Sequence, residues 1–143
     1  MKTLLTVEIE IRPIAKQSTR FGGGRAYTSR RHLVYAGVIA THVAKALEEQ
    51  PWKTEPEWPL AVQIEAHFAW PKSKKKEIKE GTVSPRVSTP DVDNITKPLL
   101  DAMKALWADD RQVADLRVRK FNSQSNKIIL RVQRWLYPQE PFT

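Results

Sequence analysis

The chain has 143 residues, of which 41% are hydrophobic and 28% charged, and its formal net charge at pH 7 is +8. This length and composition predict a single globular domain over residues 1–143 rather than a disordered chain. Because cysteine is absent, disulfide scaffolds, thiolate metal sites and cysteine nucleophiles are excluded. No apolar stretch is long enough for a signal peptide or a membrane span, so we expect a cytoplasmic protein without a membrane partner.

The excess of positive charge favours a polyanionic partner, because arranged Lys and Arg side chains release counterions when they bind phosphates. A basic, solvated surface without a nucleic-acid partner explains the same composition equally well. Composition leaves both interpretations open, and the decision therefore rests on motifs.

The first predicted element is a strand over residues 5–11, in which apolar and polar residues alternate until Pro13 stops it. Residues 16–27 follow as a loop with three consecutive glycines, two aromatic residues and three cations. Glycines let a backbone approach a ligand closely, so this loop is either a DNA-contacting arm or a mobile connection. The cations in it that we expect to contact DNA phosphates are Lys16, Arg20 and Arg25.

A helical period begins after Thr28 or Ser29, either of which suits an N-cap, and its apolar stripe continues to Leu47. Residues 60–70 alternate regularly between the two faces of a strand, which should lie well inside the sheet. Five lysines then fall within residues 72–79, and such a run is either a solvated face or a phosphate contact. The candidate contacts are Lys72, Lys74, Lys75 and Lys76.

An apolar stripe over residues 95–106 predicts a second helix. Because proline inside a helix costs about 3 kcal/mol, Pro98 implies that regular helix begins no earlier than Asn94 or Ile95, or is distorted there. Two strands follow, near residues 116–119 and over residues 127–136, and the polar turn between them predicts an antiparallel hairpin. Residues 137–143 are expected to form a loose tail.

The order β, α, β, α, β, β predicts an α/β domain with a four-stranded mixed sheet and two main helices on one face. A sheet covered on one side leaves its other face, or an edge, available to a second subunit. The fold prediction is therefore compatible with a homodimer.

The aspartates are clustered in the sequence. All six lie between residues 91 and 115, and every acidic residue elsewhere is a glutamate. Asp91 and Asp93 are two apart, and residues so spaced point to the same side of an extended chain, which Pro90 favours. Two such carboxylates repel each other unless a cation lies between them, and Mg²⁺ prefers hard oxygen ligands. The pattern predicts a divalent-metal site; the alternative is that Asp91 merely caps the helix.

Further polar residues surround the same helix. Lys97 follows Asp93 by one turn and Asp101 follows by another, so the three share a face if the first turn is regular. Lys97 could neutralise charge in a transition state or belong to an ordinary ladder of ion pairs. Asp109 and Asp110 follow the helix end, where the dipole disfavours acids, and the alternative there is an exposed turn.

The acidic segment contains a longer motif: Pro90-Asp91-Val92-Asp93-Asn94, Lys97, Leu100-Asp101-Ala102-Met103, Asp109-Asp110 and Gln112-Val113. This motif resembles the signature of the RusA family of Holliday junction resolvases, which phages and prophages often encode. A weaker match to the same family lies at Lys16, Arg20, Phe21 and Tyr27-Thr28. The resemblance implies a homodimeric, Mg²⁺-dependent endonuclease that nicks opposed strands of a four-way DNA junction. It also implies that Mn²⁺ can substitute and that no small-molecule cofactor is needed.

By the same resemblance, the metal-binding catalytic acids are Asp91, Asp93 and Asp110, and the catalytic lysine is Lys97. Supporting roles fall to Asn94, Asp101, Asp109 and Gln112. Two rival functions remain: a nuclease that cleaves flaps or forks with the same metal chemistry, and a non-catalytic accessory protein that binds branched DNA and whose acids are structural.

Overall fold

The computed structural model describes residues 1–16, 20–27 and 29–136, with the backbone alone described for residues 20–22 and 25–27. The predicted tail at residues 137–143 and the side chains of Arg20 and Arg25 therefore lie outside the described residues. The strands are β1 (Lys2–Ile9), β2 (Arg20–Gly22), β3 (Arg25–Tyr27), β4 (Leu60–Ala69), β5 (Ser84–Pro85), β6 (Val113–Ser123) and β7 (Lys127–Arg134). The helices are α1 (Arg30–Glu49), α2 (Lys75–Glu80) and α3 (Val92–Ala102), and short 3-10 turns occupy Lys104–Leu106 and Asp110–Gln112.

Five strands form a mixed sheet in the order β1-β7-β4-β6-β5. The mixed sheet of an α/β domain is confirmed, but the prediction of four strands is wrong, because the two-residue β5 pairs with the edge of β6. β4 lies at the centre, parallel to β6 and antiparallel to β7. Ala61 and Val62 of β4 point to opposite faces and are both buried, as expected for a strand inside a sheet.

The predicted hairpin between the last two strands is wrong. β6 and β7 run antiparallel, but β4 lies between them and pairs with both. The turn that joins them closes over the end of β4, where the Ser123 carbonyl accepts a hydrogen bond from the Trp70 N–H (2.9 Å). The Asn126 side chain accepts another from the Ala69 N–H (2.8 Å). Alternation along each strand carries no information about which strand is its neighbour.

Two segments that we predicted without regular structure contain short elements. β2 and β3 form a separate antiparallel hairpin within the predicted loop, and it turns at Gly23 and Gly24, whose φ angles of 58° and 75° suit glycine. α2 occupies part of the lysine run, and none of its residues is buried. The lysines of α2 are therefore exposed, as expected of a charged run.

α1 and α3 pack against each other and against one face of the sheet, α1 near β1 and α3 near β6. On that face Val7, Leu130 and Ile64 lie in one row across three strands and are all buried. The opposite face is polar, and Arg131 there donates a hydrogen bond to Gln63 at 3.0 Å. Among the described residues, no helix combines the length and apolarity needed to cross a bilayer.

β1, β4 and β6 run in the same direction, so their carboxyl ends meet at one edge of the sheet. The start of α1 lies at this carboxyl edge, because the His32 ring is hydrogen-bonded to the Ala15 carbonyl, beyond β1, at 3.1 Å. The segment before α3 also lies there, since it is bonded to the end of β6 through Arg86 and Asn122 (3.0 Å). In open α/β sheets, ligands bind outside the carboxyl ends of the strands.

Candidate active site

α3 begins earlier than we predicted. Regular helix starts at Val92, so Asp91 is the extended N-cap residue (φ −69°, ψ 152°) and Asp93 is already helical. The premise that both carboxylates share one extended segment is therefore wrong, and of the two alternatives predicted from Pro98, the later start at Asn94 or Ile95 is wrong. The helix continues through Pro98.

Pro98 is tolerated because the carbonyl that it leaves without a helical donor finds another one. A residue with an N–H at this position would donate to the Asn94 carbonyl, four residues earlier. In the structure the Lys16 N–H donates to that carbonyl at 2.7 Å. This bond fixes the start of the basic loop against the first turns of α3. A predicted phosphate contact therefore lies near the predicted acids.

The carboxylate of Asp91 makes no capping hydrogen bond to α3, although aspartate is a preferred N-cap residue. Within the described part of the chain, neither Asp91 nor Asp93 forms an ion pair, and both are exposed. The positive end of the helix dipole stabilises both charges. Asp91 therefore occupies the N-cap position without capping α3 through its side chain, and both carboxylates remain free to bind a cation.

Two cations hold the backbone that leads to Asp91. Arg86 donates to the Thr89 carbonyl from Nε (3.0 Å) and Nη2 (2.8 Å). Lys120 Nζ donates to the Pro90 carbonyl at 2.9 Å. Because a charged donor makes a stronger hydrogen bond than a neutral one, these contacts fix the segment before α3 and, with it, the position of Asp91.

Lys97 lies on the exposed face of α3, one turn after Asp93. Its ammonium forms an ion pair with Asp101 at 3.6 Å, and Lys104 pairs with the same carboxylate oxygen at 3.6 Å. The three side chains are 47% to 58% exposed, so each pair is worth about 0.5 kcal/mol or less. The ladder of ion pairs exists, but it is weak enough to leave Lys97 available to an anionic substrate.

Asp110 lies toward the C-terminal half of α3, in a cleft of about 150 Å³ that Lys97, Asp101 and Lys104 also line. The Trp107 indole N–H donates to Asp110 Oδ1 at 2.9 Å, which orients the carboxylate. Asp110 is exposed, so its charge keeps its contact with water. The structure thus brings Lys97, Asp101 and Asp110 together around one cleft.

Asp109 and Gln112 build the 3-10 turn that carries Asp110. Hydrogen bonds from the side chain and then the backbone N–H of Arg111, each 2.9 Å, hold the pKa of Asp109 below its usual value. The buried Gln112 amide accepts from the Ala108 and Asp109 N–H groups and donates to the Glu55 and Trp58 carbonyls. These four bonds use its full capacity and fix the turn against the loop that follows α1.

The three predicted metal ligands are not grouped in this structure. Asp110 lines a cleft with Lys97 and Asp101, and neither Asp91 nor Asp93 is among the residues that line it. No three Asp, Glu, His or Cys side chains of the described residues are placed to hold a metal ion together. Mg²⁺ typically takes one or two protein carboxylates and completes its shell with water and phosphate oxygens. The free carboxylates of Asp91 and Asp93 fit that requirement.

The chain is similar to a known protein family and to a bacterial protein. A family model described as "Endodeoxyribonuclease RusA" matches residues 9–133, which include every acid and lysine of the candidate site. The chain belongs to the RusA family. It is also 35% identical over 77 residues to the "Uncharacterized protein YqaN" of Bacillus subtilis (strain 168). That match covers 49% of this chain and 54% of YqaN, so the chain spans about half the length of this curated relative.

The basic residues selected from the sequence lie near the carboxyl edge of the RusA domain where they are described. Lys72 and Lys74 are exposed before α2, and Lys75 and Lys76 are exposed within it. α2 is joined to the turn after β6 by a hydrogen bond from Gln124 to the Glu77 carbonyl (3.2 Å). The lysines therefore lie along the same edge of the sheet as the segment that leads to Asp91.

The RusA domain also contains basic residues that no sequence pattern indicated. Arg12, Arg31 and Arg86 come from separate segments and, together with Lys16, line a cleft of about 530 Å³ at the carboxyl edge. Single cations outside a run or motif give no signal in a sequence. Arg31 does give a signal in the sequence, because a cation in the first turn of a predicted helix is unfavourable with respect to the helix dipole.

Proposed function

We propose that this RusA-family protein is a divalent-metal-dependent endodeoxyribonuclease that resolves four-way DNA junctions by paired, symmetric nicks. The observation that carries the proposal is the family match over residues 9–133. Exposed cations near the segment before Asp91 support a DNA substrate, because they add positive charge beside the candidate acids.

In the proposed mechanism, Asp91 and Asp93 would hold Mg²⁺, for which Mn²⁺ could substitute, and Asp110 is a third candidate ligand from the cleft that it shares with Lys97. When bound, the ion supplies an activated water and neutralises charge on the scissile phosphate. Asp91 is suited to this role because its carboxylate is not used to cap α3, and Trp107 orients Asp110. Lys97 stabilises the negative charge that develops on the phosphate, since its exposed pair with Asp101 is weak.

The wild-type protein is expected to cut a synthetic four-way junction at symmetric positions in Mg²⁺ and not in EDTA, while it binds the junction in both. A denaturing gel measures the cuts and a gel shift measures binding. Preferred cleavage of flap or fork substrates in the same panel would favour the rival nuclease function. Binding without cleavage of any substrate, and without a metal-dependent thermal shift, would favour the accessory protein.

The proposal includes a homodimer, because paired nicks across a two-fold junction are most simply placed by a two-fold protein. α1 and α3 pack on one face of the sheet, and the polar opposite face offers one surface for the dimer. Sedimentation velocity at micromolar concentration is expected to give twice the mass of the chain. A species of monomer mass alone would contradict the dimer.

A further inference from the structure

A cleft at the carboxyl edge of the sheet collects positive charge from separate parts of the chain. Arg12 and Lys16 follow β1, Arg31 belongs to the first turn of α1, and Arg86 follows β5. The cleft encloses about 530 Å³, and its described lining contains no aspartate or glutamate. The positive charge is therefore not balanced within the cleft.

Two of these cations lie close to one aromatic ring. The guanidinium carbons of Arg86 and Arg12 are 4.3 Å and 5.3 Å from the centre of the Phe68 ring. Burial, and to a smaller extent the charge of Arg12, lower the pKa of Arg86. Contact with the ring favours each cation, but the two guanidinium groups repel each other. An anion in the cleft would remove this repulsion.

No acid neutralises the cleft cations. Within the described residues, Arg12, Lys16, Arg31 and Arg86 form no ion pair. The donors of Arg86 are directed to the backbone and to Asn122. Among the described residues, the one hydrogen bond of the Arg12 side chain is a 3.5 Å contact with Asn126. Arg12, Lys16 and Arg31 thus keep donors for a ligand.

The start of α1 adds to the positive potential of the cleft. The helix begins with Arg30, Arg31 and His32, and its first turn contains no acidic residue. The amino end of a helix carries a partial positive charge that attracts anions and disfavours cations. A first turn of this composition lowers stability unless an anion lies beside it. This is a second indication, independent of the ion pairs, that the cleft binds an anion.

We propose that this cleft binds phosphodiester groups of the DNA strand next to the scissile phosphate, through Arg12, Lys16 and Arg31. The inference rests on the proposed nuclease function. Thr89 and Pro90 line the same cleft and lead directly to Asp91, so a strand held there continues toward the acids. Phe68 is 1% exposed and its ring cannot stack on a base. The cleft therefore contacts the DNA backbone, and its contribution to binding is independent of DNA sequence.

The test is a double variant, Arg12→Gln with Arg31→Gln, which removes two charges and leaves Arg86 to hold the backbone before Asp91. Affinity for a fluorescent four-way junction is measured by anisotropy in EDTA over a range of salt concentrations. The slope of log affinity against log salt is expected to fall by about two units, with affinity about tenfold or more weaker at moderate salt. The loss should be equal for junctions of different sequence. Arg31→Gln alone, at an exposed position, should lower the slope by about one unit.

The matched control is Lys45→Gln with Lys53→Gln, which removes the same charge from exposed positions near the other end of α1. It is expected to keep the wild-type slope. An unchanged slope in folded Arg12 and Arg31 variants, or an equal loss in the control, would overturn the cleft assignment while junction cleavage by the wild type still supported the nuclease. A wild-type protein that binds through the cleft but cuts no DNA would instead overturn the proposed function.

Discussion

Asp93→Asn is expected to lower the rate of DNA cleavage by about 10³-fold or more, while affinity for a four-way junction in EDTA remains within about twofold of wild type. The amide keeps the size of the side chain but removes the charge that holds a divalent cation. Asp93 is exposed and forms no ion pair among the described residues, so the free energy of unfolding should change by about 0.5 kcal/mol or less. Single-turnover cleavage and a gel shift measure the two effects separately.

The control for this prediction is Glu48→Gln, which removes one carboxylate charge from an exposed position on α1 and should leave cleavage unchanged. Cleavage by Asp93→Asn at the wild-type rate would show that the site is assigned wrongly. Asp110→Asn decides the ligand set, because Asp110 shares a cleft with Lys97 and Asp101. A loss as large as that of Asp93→Asn would place Asp110 with the metal ligands, and near-normal cleavage would restrict them to Asp91 and Asp93.

Phe68→Ala is expected to lower the free energy of unfolding by about 3–5 kcal/mol. Phe68 is 1% exposed near the end of the central strand β4, so its removal leaves a cavity there. It also removes the ring on which the Arg86 and Arg12 guanidinium groups lie. For a domain of this size the loss corresponds to a melting temperature lower by roughly 10–15 °C. Urea unfolding and thermal melts measure it.

Phe68→Leu separates the destabilisation caused by lost buried volume from that caused by the lost contact with the arginines. Leucine keeps most of the apolar volume but cannot contact a cation through a ring. It is expected to cost about 1.5 kcal/mol or less. If the leucine variant is as unstable as the alanine variant, the contact with the arginines outweighs the buried volume. A wild-type melting temperature for Phe68→Ala would contradict the placement of Phe68 in the core.

Local patterns in the sequence predicted local structure well. The alternation over residues 60–70 predicted the central strand, and Ser29 was one of two predicted caps for α1, where its side chain accepts a hydrogen bond from the His32 N–H. These features depend on neighbours within one turn of helix or along one strand. The family motif is also local, since its acids and lysine lie within residues 91–110, and the family is confirmed.

The predictions that failed concern residues far apart in the chain. Pro98 was expected to delay the start of α3 or to distort it, but the helix starts at Val92, and the N–H of the distant Lys16 satisfies the Asn94 carbonyl that the proline leaves open. The last two strands were expected to pair, but β4 lies between them and pairs with both. The residues around Pro98 do not indicate that Lys16 is the donor, and the residues of β6 and β7 do not indicate that β4 lies between them.

By itself, the sequence determined the strand and helix periods, the acidic motif and the family, because each is written in residues close together along the chain. Only the tertiary structure decided the order of the strands, showed that the Asp91 carboxylate does not cap α3, and placed Arg12, Arg31 and Arg86 in one cleft. The reason is physical: these features arise from packing and hydrogen bonds between distant segments, and the spacing of residues in a sequence does not encode which distant segments meet.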